Sequence, residues 1–257
     1  MTRILLACSA FALACAAQAD VTLKTTATGK GFGISGSTTT TTYIKGLKMR
    51  SDTTAGQKQL STIFDVEAQK MYILDVEDKR ARVWDMAAFA TELSSHVAPE
   101  GMQASLKANG QTKMVSGQNT DGYDIAIVVP TTVGGMEMTM HLTGTTWIAK
   151  GVPGSADYAA FYQGAADKGW IFSDPRAAQG APGQAKAMAQ MYAEFARIGG
   201  LPLETVMDIK PEGGSAMGSL MAKVGGMQTT TTTDSVETGT VADDLFQVPA
   251  DYKIEQQ

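Results

Sequence analysis

The chain has few of the residues from which catalytic and disulfide-bonded sites are built. Its two cysteines, Cys8 and Cys15, both lie close to the N-terminus, and its two histidines are His96 and His141. The rest of the chain therefore has no cysteine for a disulfide, and a Ser–His–Asp relay has few candidate centres. No Gly-x-Ser-x-Gly nucleophile elbow occurs in the sequence. We expect a protein that is not an enzyme and that holds no cofactor.

Strong basic charge is also missing. The sequence contains 21 Lys and Arg against 26 Asp and Glu, for a formal net charge of −5, and it has no basic run. Nucleic-acid binding and attraction to anionic membrane surfaces both depend on a basic patch. Beyond the N-terminal stretch, no segment is apolar and long enough to span a bilayer. We expect no nucleic-acid partner and no integral membrane segment in the mature chain.

The N-terminal stretch has the pattern of a secretory signal peptide. Arg3 precedes an apolar segment from Ile4 to Ala16, and Ala17-Gln18-Ala19 forms a small-x-small cleavage site. We therefore expect residues 1–19 to be a signal peptide, residues 20–257 to be a single domain, and the product to be periplasmic. Lipidation at Cys15 is the alternative to a soluble product.

The segment from Leu60 to Asp85 predicts an antiparallel meander. Three short strands, rich in Ile, Val, Tyr, Phe and Trp, are separated by the polar turns Glu67–Lys70 and Asp75–Lys79. An antiparallel sheet can bury one face and expose the other to water. We expect this meander to form the middle of one large curved sheet.

A second β pair is the most apolar part of the chain. The alternation in Tyr123–Val129 and Met136–Leu142 predicts two strands, joined by a turn over Pro130–Gly135. Gly144 is expected to break the second strand before a further short strand at Thr145–Ala149. Gln118–Gly122 predicts a turn before the pair.

Threonine runs and helical stretches complete the pattern. Thr229–Thr233 and the run within Ser37–Ile44 are expected on solvated strand faces, and an ice-binding or glycan-stacking array is the alternative. Met86–Val97 and a short stretch around Tyr158–Tyr162 predict helices. The strongest helix signal is Gly183–Ile198, which has one apolar stripe at helical spacing. A helical turn at Met217–Val224 and a frayed tail at Glu255–Gln257 are also expected.

Several short pieces of sequence resemble a family of bacterial secreted proteins of unassigned function. This family lies within the lipoprotein-carrier (LolA/LolB-like) superfamily. The pieces are Tyr43–Arg50, Met71–Asp75, Gly122-Tyr123, Trp147–Lys150 and Leu245–Lys253. The resemblance implies an α+β fold in which a large curved antiparallel sheet forms an open half-barrel and helices pack as a lid on its concave face. It also implies that the hollow beneath the lid holds acyl chains or other lipophilic groups.

We therefore expect a ligand pocket between the sheet and the Gly183–Ile198 helix. Methionine suits such a site because it is flexible and polarizable. The alternative is that the same side chains fill a dry core. The expected lining residues are Ile125, Ile127, Met136, Met138, Met140, Leu142 and Trp147 from the sheet, and Met188, Met191, Tyr192 and Phe195 from the helix.

The predicted function is a periplasmic binding or carrier protein for a hydrophobic small molecule or lipid. One alternative is an interaction or envelope-sensor module of the same fold, whose partner is an envelope protein. A less favoured alternative is a Cu(I) site at Met136, Met138, Met140 and His141. On a regular strand His141 points away from the methionines, so we expect no metal site.

Overall fold

The computed structural model describes residues 20–31, 34–95, 103–133, 136–172, 174–180, 182–212 and 226–257. The expected signal peptide and the helical turn expected at Met217–Val224 lie outside these residues. None of the described helices is long and apolar enough to cross a membrane.

In the described part of the chain, one open sheet of twelve strands dominates, and four helices accompany it. The strands are β1 (Asp20–Gly31), β2 (Ile34–Lys45), β3 (Lys48–Ala55), β4 (Lys58–Asp65), β5 (Lys70–Asp75), β6 (Arg80–Asp85), β7 (Gln103–Val115), β8 (Gln118–Val133), β9 (Met136–Ala149), β10 (Leu201–Glu212), β11 (Met227–Gly239) and β12 (Lys253–Gln256). The helices are α1 (Met86–Ser95), α2 (Ser155–Asp167), α3 (Pro175–Gly180) and α4 (Pro182–Ile198), and a 3-10 turn covers Asp243–Phe246.

The sheet consists of two antiparallel meanders joined side by side. Strands β1 to β6 form one meander and β7 to β11 form the other, and β1 pairs with β11 from Asp20–Gly239 to Gly31–Met227. Among the described strands, β12 alone is parallel to its neighbour, β6. The strand order is β12-β6-β5-β4-β3-β2-β1-β11-β10-β9-β8-β7. The predicted α+β class with a large antiparallel sheet is confirmed.

An unbroken row of apolar side chains crosses the first meander on one face. Each member is the cross-strand partner of the next, and each is buried. Paired side chains on one face of a sheet stabilise it by mutual packing. We call this side the helix face because the helices cover it. The row is Val21, Ile44, Met49, Phe64, Met71 and Trp84.

The centre of the sheet is rich in threonine instead. In β2 and β11 the two threonine runs lie on either side of β1, and most of their side chains are partly exposed. The hydroxyls of Thr40 and Thr53 lie 3.0 Å apart on the helix face, and Thr26 donates to Asp234 at 2.7 Å on the other face. Both runs are thus largely half-exposed, but they do not lie wholly on solvated faces as predicted, because alternate residues such as Thr40 lie on the helix face and Thr233 is buried.

The helices cover the helix face as the predicted lid. Helix α4 lies on β7 and β8, α2 lies against β1, β2 and β10, and α1 lies beside β6 and α3. Between α2, α4 and the sheet is a group of rings that we call the aromatic cluster. Its centroids lie 4.7–6.4 Å apart, and it consists of Phe64, Tyr158, Phe161, Tyr162, Trp170, Phe172 and Tyr192.

The C-terminal segment covers the opposite face of the first meander. Val248 and Tyr252 pack on the buried side chains of Ile63, Leu74 and Ala81. The segment then ends in β12, where Lys253 N donates to Lys79 O at 2.9 Å. The expected frayed tail at Glu255–Gln257 is therefore wrong over most of its length. Pairing with β6 and the apolar anchor before it hold the segment against the sheet.

The meander of β4, β5 and β6 was correctly predicted, but its place in the sheet was not. Only β12 lies beyond β6, so the meander is close to one edge rather than in the middle. Its turns follow the predicted chemistry, because Asp65 and Asp75 each accept a backbone N–H three residues on, from Ala68 and Asp78.

Three of the turn and break predictions are also wrong. Gln118–Gly122 lies in β8, because the hairpin turns instead at Ser116-Gly117, where both residues have positive φ. The turn predicted over Pro130–Gly135 is wrong for its first four residues, since β8 continues to Val133, and its last two residues lie outside the described part of the chain. Gly144 does not end a strand, and β9 runs through it. A Cβ atom at Gly144 would overlap the carbonyl oxygen of Val206, so this glycine permits close contact between β9 and β10.

Candidate functional site

Helix α4 lies along β8 on the helix face. Near its N-terminus, a Cβ atom on Gly183 would come 3.2 Å from a methyl group of Val129, so glycine lets the helix approach the strand closely. At its C-terminus, Gly199 has a φ of 71° and donates to Phe195 O at 3.1 Å, which ends the helix. The helix prediction for Gly183–Ile198 is confirmed, with α4 beginning at Pro182.

The apolar layer between α4 and the sheet contains most of the predicted lining residues. We call it the α4–β8 cluster. Its buried members are Leu106, Tyr123, Ile125, Ile127, Val129, Leu142, Ile148, Ala187 and Met191, and its partly buried neighbours include Met140, Met188, Phe195 and Ile198. The structure therefore brings together Ile125, Ile127, Met140, Leu142, Met188, Met191 and Phe195.

Two further methionines were expected in this layer. Met138 is 7% exposed and shares a strand face with Met140 and Leu142, since all three alternate in β9. The side chain of Met136 lies outside the described residues.

Trp147 lies on the opposite face of the sheet. In β9 it pairs with Gly122 and Glu204, whereas the helix-face residue Tyr123 pairs with Thr146. Its ring lies 3.0 Å from the position of a Cβ atom on Gly122, and the ammonium of Lys113 is 4.4 Å from its centroid. The structure therefore does not bring Trp147 together with the other predicted lining residues.

Tyr192 faces the other side of α4. It stacks on Tyr162 with an interplanar angle of 8° and a centroid distance of 5.2 Å, within the aromatic cluster. Helix α4 thus has two apolar sides. Ala187, Met188 and Met191 contact the sheet, while Ala189 and Tyr192 contact the core around α2.

Polar groups stand at the margins of these layers. Lys150 Nζ donates to the Tyr123 hydroxyl at 2.7 Å and lies 3.4 Å from Asp121, at the end of the α4–β8 cluster. In the aromatic cluster, burial raises the pKa of Tyr158, Tyr162 and Tyr192. These three hydroxyls therefore stay protonated at neutral pH.

The structure separates His141 from the methionine face. His141 Nε2 lies 2.8 Å from a carboxylate oxygen of Glu212, and its strand position pairs with Val128 and Lys210 on the face opposite Met140. Among the described residues, no group of three or more His, Asp or Glu side chains is placed to hold a metal ion.

A groove that sequence reasoning missed opens near the β6 edge of the sheet. It has a volume of about 360 Å³, and it runs between α3 and the ends of β4 and β5. Its lining combines apolar side chains with three cations and two carboxylates. It is lined by Gln57, Lys58, Gln59, Leu60, Ile73, Leu74, Asp75, Val76, Glu77, Arg82 and Arg176. The sequence feature that could have indicated this groove is Arg82. It alternates with Ala81 and Val83 in β6, so it lies on the same strand face as Trp84.

No family model and no curated protein matches this sequence. Solved structures do match. The structure of PNGF-II aligns with a TM-score of 0.39 and 11% identity over 93% of this chain. The MucA/MucB complex of Pseudomonas aeruginosa aligns at 0.35 and 9% over 90% of this chain. A LolA superfamily protein from Nitrosomonas europaea aligns at 0.30 and 7%, over 90% of this chain and 91% of that one.

The chain spans 31% of the PNGF-II chain and 56% of the matched chain of the MucA/MucB complex. The superfamily that the sequence resembles is thus represented among the matching structures. At these TM-scores and identities the likeness carries no argument about ligand, partner or activity.

Proposed function

We propose that the protein is exported to the periplasm and binds or carries a hydrophobic, acyl-type ligand between α4 and the sheet. The observation that supports this is the α4–β8 cluster, an apolar layer built largely from aliphatic and methionine side chains. Burying an acyl chain there would contribute about 25 cal/mol for each Å² removed from water.

Methionine is the reason to place the ligand in this layer rather than in the aromatic cluster. Met140 on the sheet and Met188 and Met191 on the helix are unbranched, so they can change rotamer and fill space around guests of different shapes. Lys150 and Asp121 stand at one end of the layer and would meet the polar end of such a guest.

The first test is whether lipid accompanies the protein. The protein is purified from its own envelope and extracted, and the extract is examined by lipid mass spectrometry. We expect stoichiometric acyl-chain material. A protein that folds, is free of lipid and takes up none from added vesicles would contradict the proposal.

The second test places a charge in the layer. Met138→Lys puts an ammonium at a position that is 7% exposed, and we expect the uptake of a neutral, lipophilic fluorescent acyl probe to fall at least about tenfold. The matched control is Met114→Lys on β7, whose side chain is 61% exposed, and it should bind normally. Met188→Lys offers the same test from the helix should Met138→Lys not fold. Unchanged uptake in the folded variant would sink the proposal.

A second candidate function is an interaction or envelope-sensor module. Strand β7 is a sheet edge of 13 residues, and most of its side chains are exposed or half-exposed. Such an edge offers free backbone groups to an added strand from a partner protein.

The chain from residue 20 onward contains no cysteine, so Met114→Cys supplies a single thiol on this edge. Cross-linking from that position to one envelope protein, in a preparation that carries no lipid, would favour the sensor function over the carrier function.

A further inference from the structure

The groove near the β6 edge has an apolar floor. Ile73 is buried on the helix face, while Leu60 and Val76 are each 44% exposed at the rim. These two are among the few large apolar side chains that the described part of the chain leaves exposed. Exposed apolar groups that gather around a concave surface, rather than being scattered singly, mark binding sites. At about 360 Å³, the groove falls within the size range of small-molecule sites.

Two arginines from different elements stand over this floor. Arg82 lies in β6 directly across from Ile73, on the same face, and Arg176 comes from α3. Arg176 is held in place, because it forms two hydrogen bonds with Asp174 and lies 6.0 Å from the ring of Trp84. Arg82 is half-buried and donates no hydrogen bond to any residue that the structure describes, but it lies close enough to Asp174 for its charge to help lower the pKa of that carboxyl. Its guanidinium donors are therefore available to a ligand.

The carboxylates beside the groove are already engaged or exposed to water. Asp75 accepts the backbone N–H of Asp78 at 3.1 Å, within the β5–β6 turn, and Glu77 is exposed in the same turn. Asp174 is occupied by Arg176. Lys58 adds a third cation to the lining. The lining therefore holds three cations against two carboxylates, Asp75 and Glu77.

We propose that this groove binds a single-chain amphiphilic anion. The carboxylate or phosphate headgroup lies against Arg82 and Arg176, and the first part of the chain lies over Leu60, Ile73 and Val76. Guanidinium groups match both kinds of headgroup because their planar donors can form two parallel hydrogen bonds. A fatty acid and a single-chain phospholipid share this chemistry. The site does not depend on the α4–β8 cluster, since different strands and a different helix form it.

The test compares ligands that differ only in the headgroup. Dodecanoate, dodecyl phosphate, dodecanol and inorganic phosphate are titrated by calorimetry into the protein. We expect both dodecyl anions to bind more tightly than dodecanol, and inorganic phosphate alone to bind weakly. Equal affinity for dodecanol would overturn the role of the arginines, and tight binding of inorganic phosphate would overturn the role of the apolar floor.

Variants then assign the site. Arg82→Gln should weaken dodecanoate binding about tenfold to a hundredfold, as expected for the loss of a charged hydrogen bond. The matched control is Arg80→Gln, which removes the same charge from the same strand at an exposed residue that does not line the groove. A second variant, Leu60→Glu, places a carboxylate at the exposed rim and should abolish dodecanoate binding. It tests the same site should Arg82→Gln fail to fold. Equal effects of Arg80→Gln and Arg82→Gln would overturn the proposal.

The two binding proposals fail separately. Met138→Lys should leave dodecanoate bound at the groove while it abolishes uptake of the neutral lipophilic probe. Arg82→Gln should have the opposite effect. Loss of dodecanoate binding in Met138→Lys, with no effect of Arg82→Gln, would place the anion under α4 and refute the groove site alone.

Discussion

The two apolar layers beneath the helices differ in their chemistry. In the aromatic cluster, planar rings surround Phe161, which is fully buried: Tyr162 meets it edge to face at 83° and Phe172 meets it at a tilt of 52°, so that ring geometry fixes their positions. In the α4–β8 cluster, flexible side chains such as Met188 and Met191 meet the branched residues of β8. Rigid rings hold one shape, whereas thioethers repack at low cost. This contrast separates the layer that anchors the lid from the layer in which we place a guest.

The largest expected loss of stability comes from a substitution in the aromatic cluster. Phe161→Ala should lower the free energy of unfolding by about 3–5 kcal/mol, because it removes a fully buried ring and leaves a cavity among neighbours that cannot close it. Met191→Ala, at an equally buried position in α4, is the comparison. We expect its cost to be smaller, about 2–3 kcal/mol, since flexible neighbours relax into the space. Urea denaturation of both variants checks this, and equal costs would erase the contrast.

Alkaline pH should weaken the same cluster. Burial raises the pKa of Tyr158, Tyr162 and Tyr192 in the folded protein, while an unfolded tyrosine ionises near pH 10. The stabilisation is complete below that pH and is lost as the pH rises above it, because only the unfolded chain then releases the protons. Each tyrosine that stays protonated in the folded protein lowers the free energy of unfolding by about 1.4 kcal/mol for every pH unit above 10.

Tyrosinate absorbance measured together with circular dichroism provides the check. The ionisation of these tyrosines should coincide with unfolding, and Tyr158→Phe should shift the transition to higher pH. Ionisation that precedes unfolding would show that the hydroxyls are accessible to solvent, and the cluster would then not be the rigid layer described.

The smallest expected effect concerns the groove. Burial of Asp174 opposes its charge, but hydrogen bonds from Arg176 outweigh burial and lower the pKa of that carboxyl. The stabilisation by this pair is therefore present above the usual carboxyl pKa and is lost as the pH falls through the lowered value. Asp174→Asn should cost less than about 1 kcal/mol at neutral pH, because both side chains are partly exposed.

The same substitution frees Arg176 and should tighten dodecanoate binding severalfold. Thermal unfolding at neutral and acid pH, with calorimetry at neutral pH, measures both effects. The stability difference between wild type and Asp174→Asn should disappear at low pH. Weaker dodecanoate binding in this variant would indicate that Asp174 positions Arg176 for the headgroup rather than competing with it.

The hydrophobic period and the turn residues correctly predicted the elements that bury one face and expose the other. The meander of β4 to β6 and helix α4 were found because their apolar residues recur at two and at about 3.6 residues respectively. Strand β7 was not predicted, because a sheet edge needs little apolar alternation and only Leu106 and Val115 of its residues are buried. The C-terminal strand was missed for a related reason, since its sequence is polar and its place depends on β6.

The error over Trp147 has a simple cause. The prediction ended a strand at Gly144, and a break there discards the alternation that assigns residues to faces. Since β9 is continuous, Trp147 falls on the face opposite Met138, Met140 and Leu142. The groove could not be predicted because it joins Arg176 to strands about 100 residues earlier in the chain. A local sequence pattern does not indicate which distant residues come into contact.

The pairing of β1 with β11 has a consequence for how the polypeptide matures. The first strand after residue 19 can gain its second neighbour only when the strand ending at Gly239 has been made. Contacts between such distant positions slow folding, because a long loop must close before they form. A nascent chain therefore stays without the pairing that joins its two meanders until β11 has been synthesised.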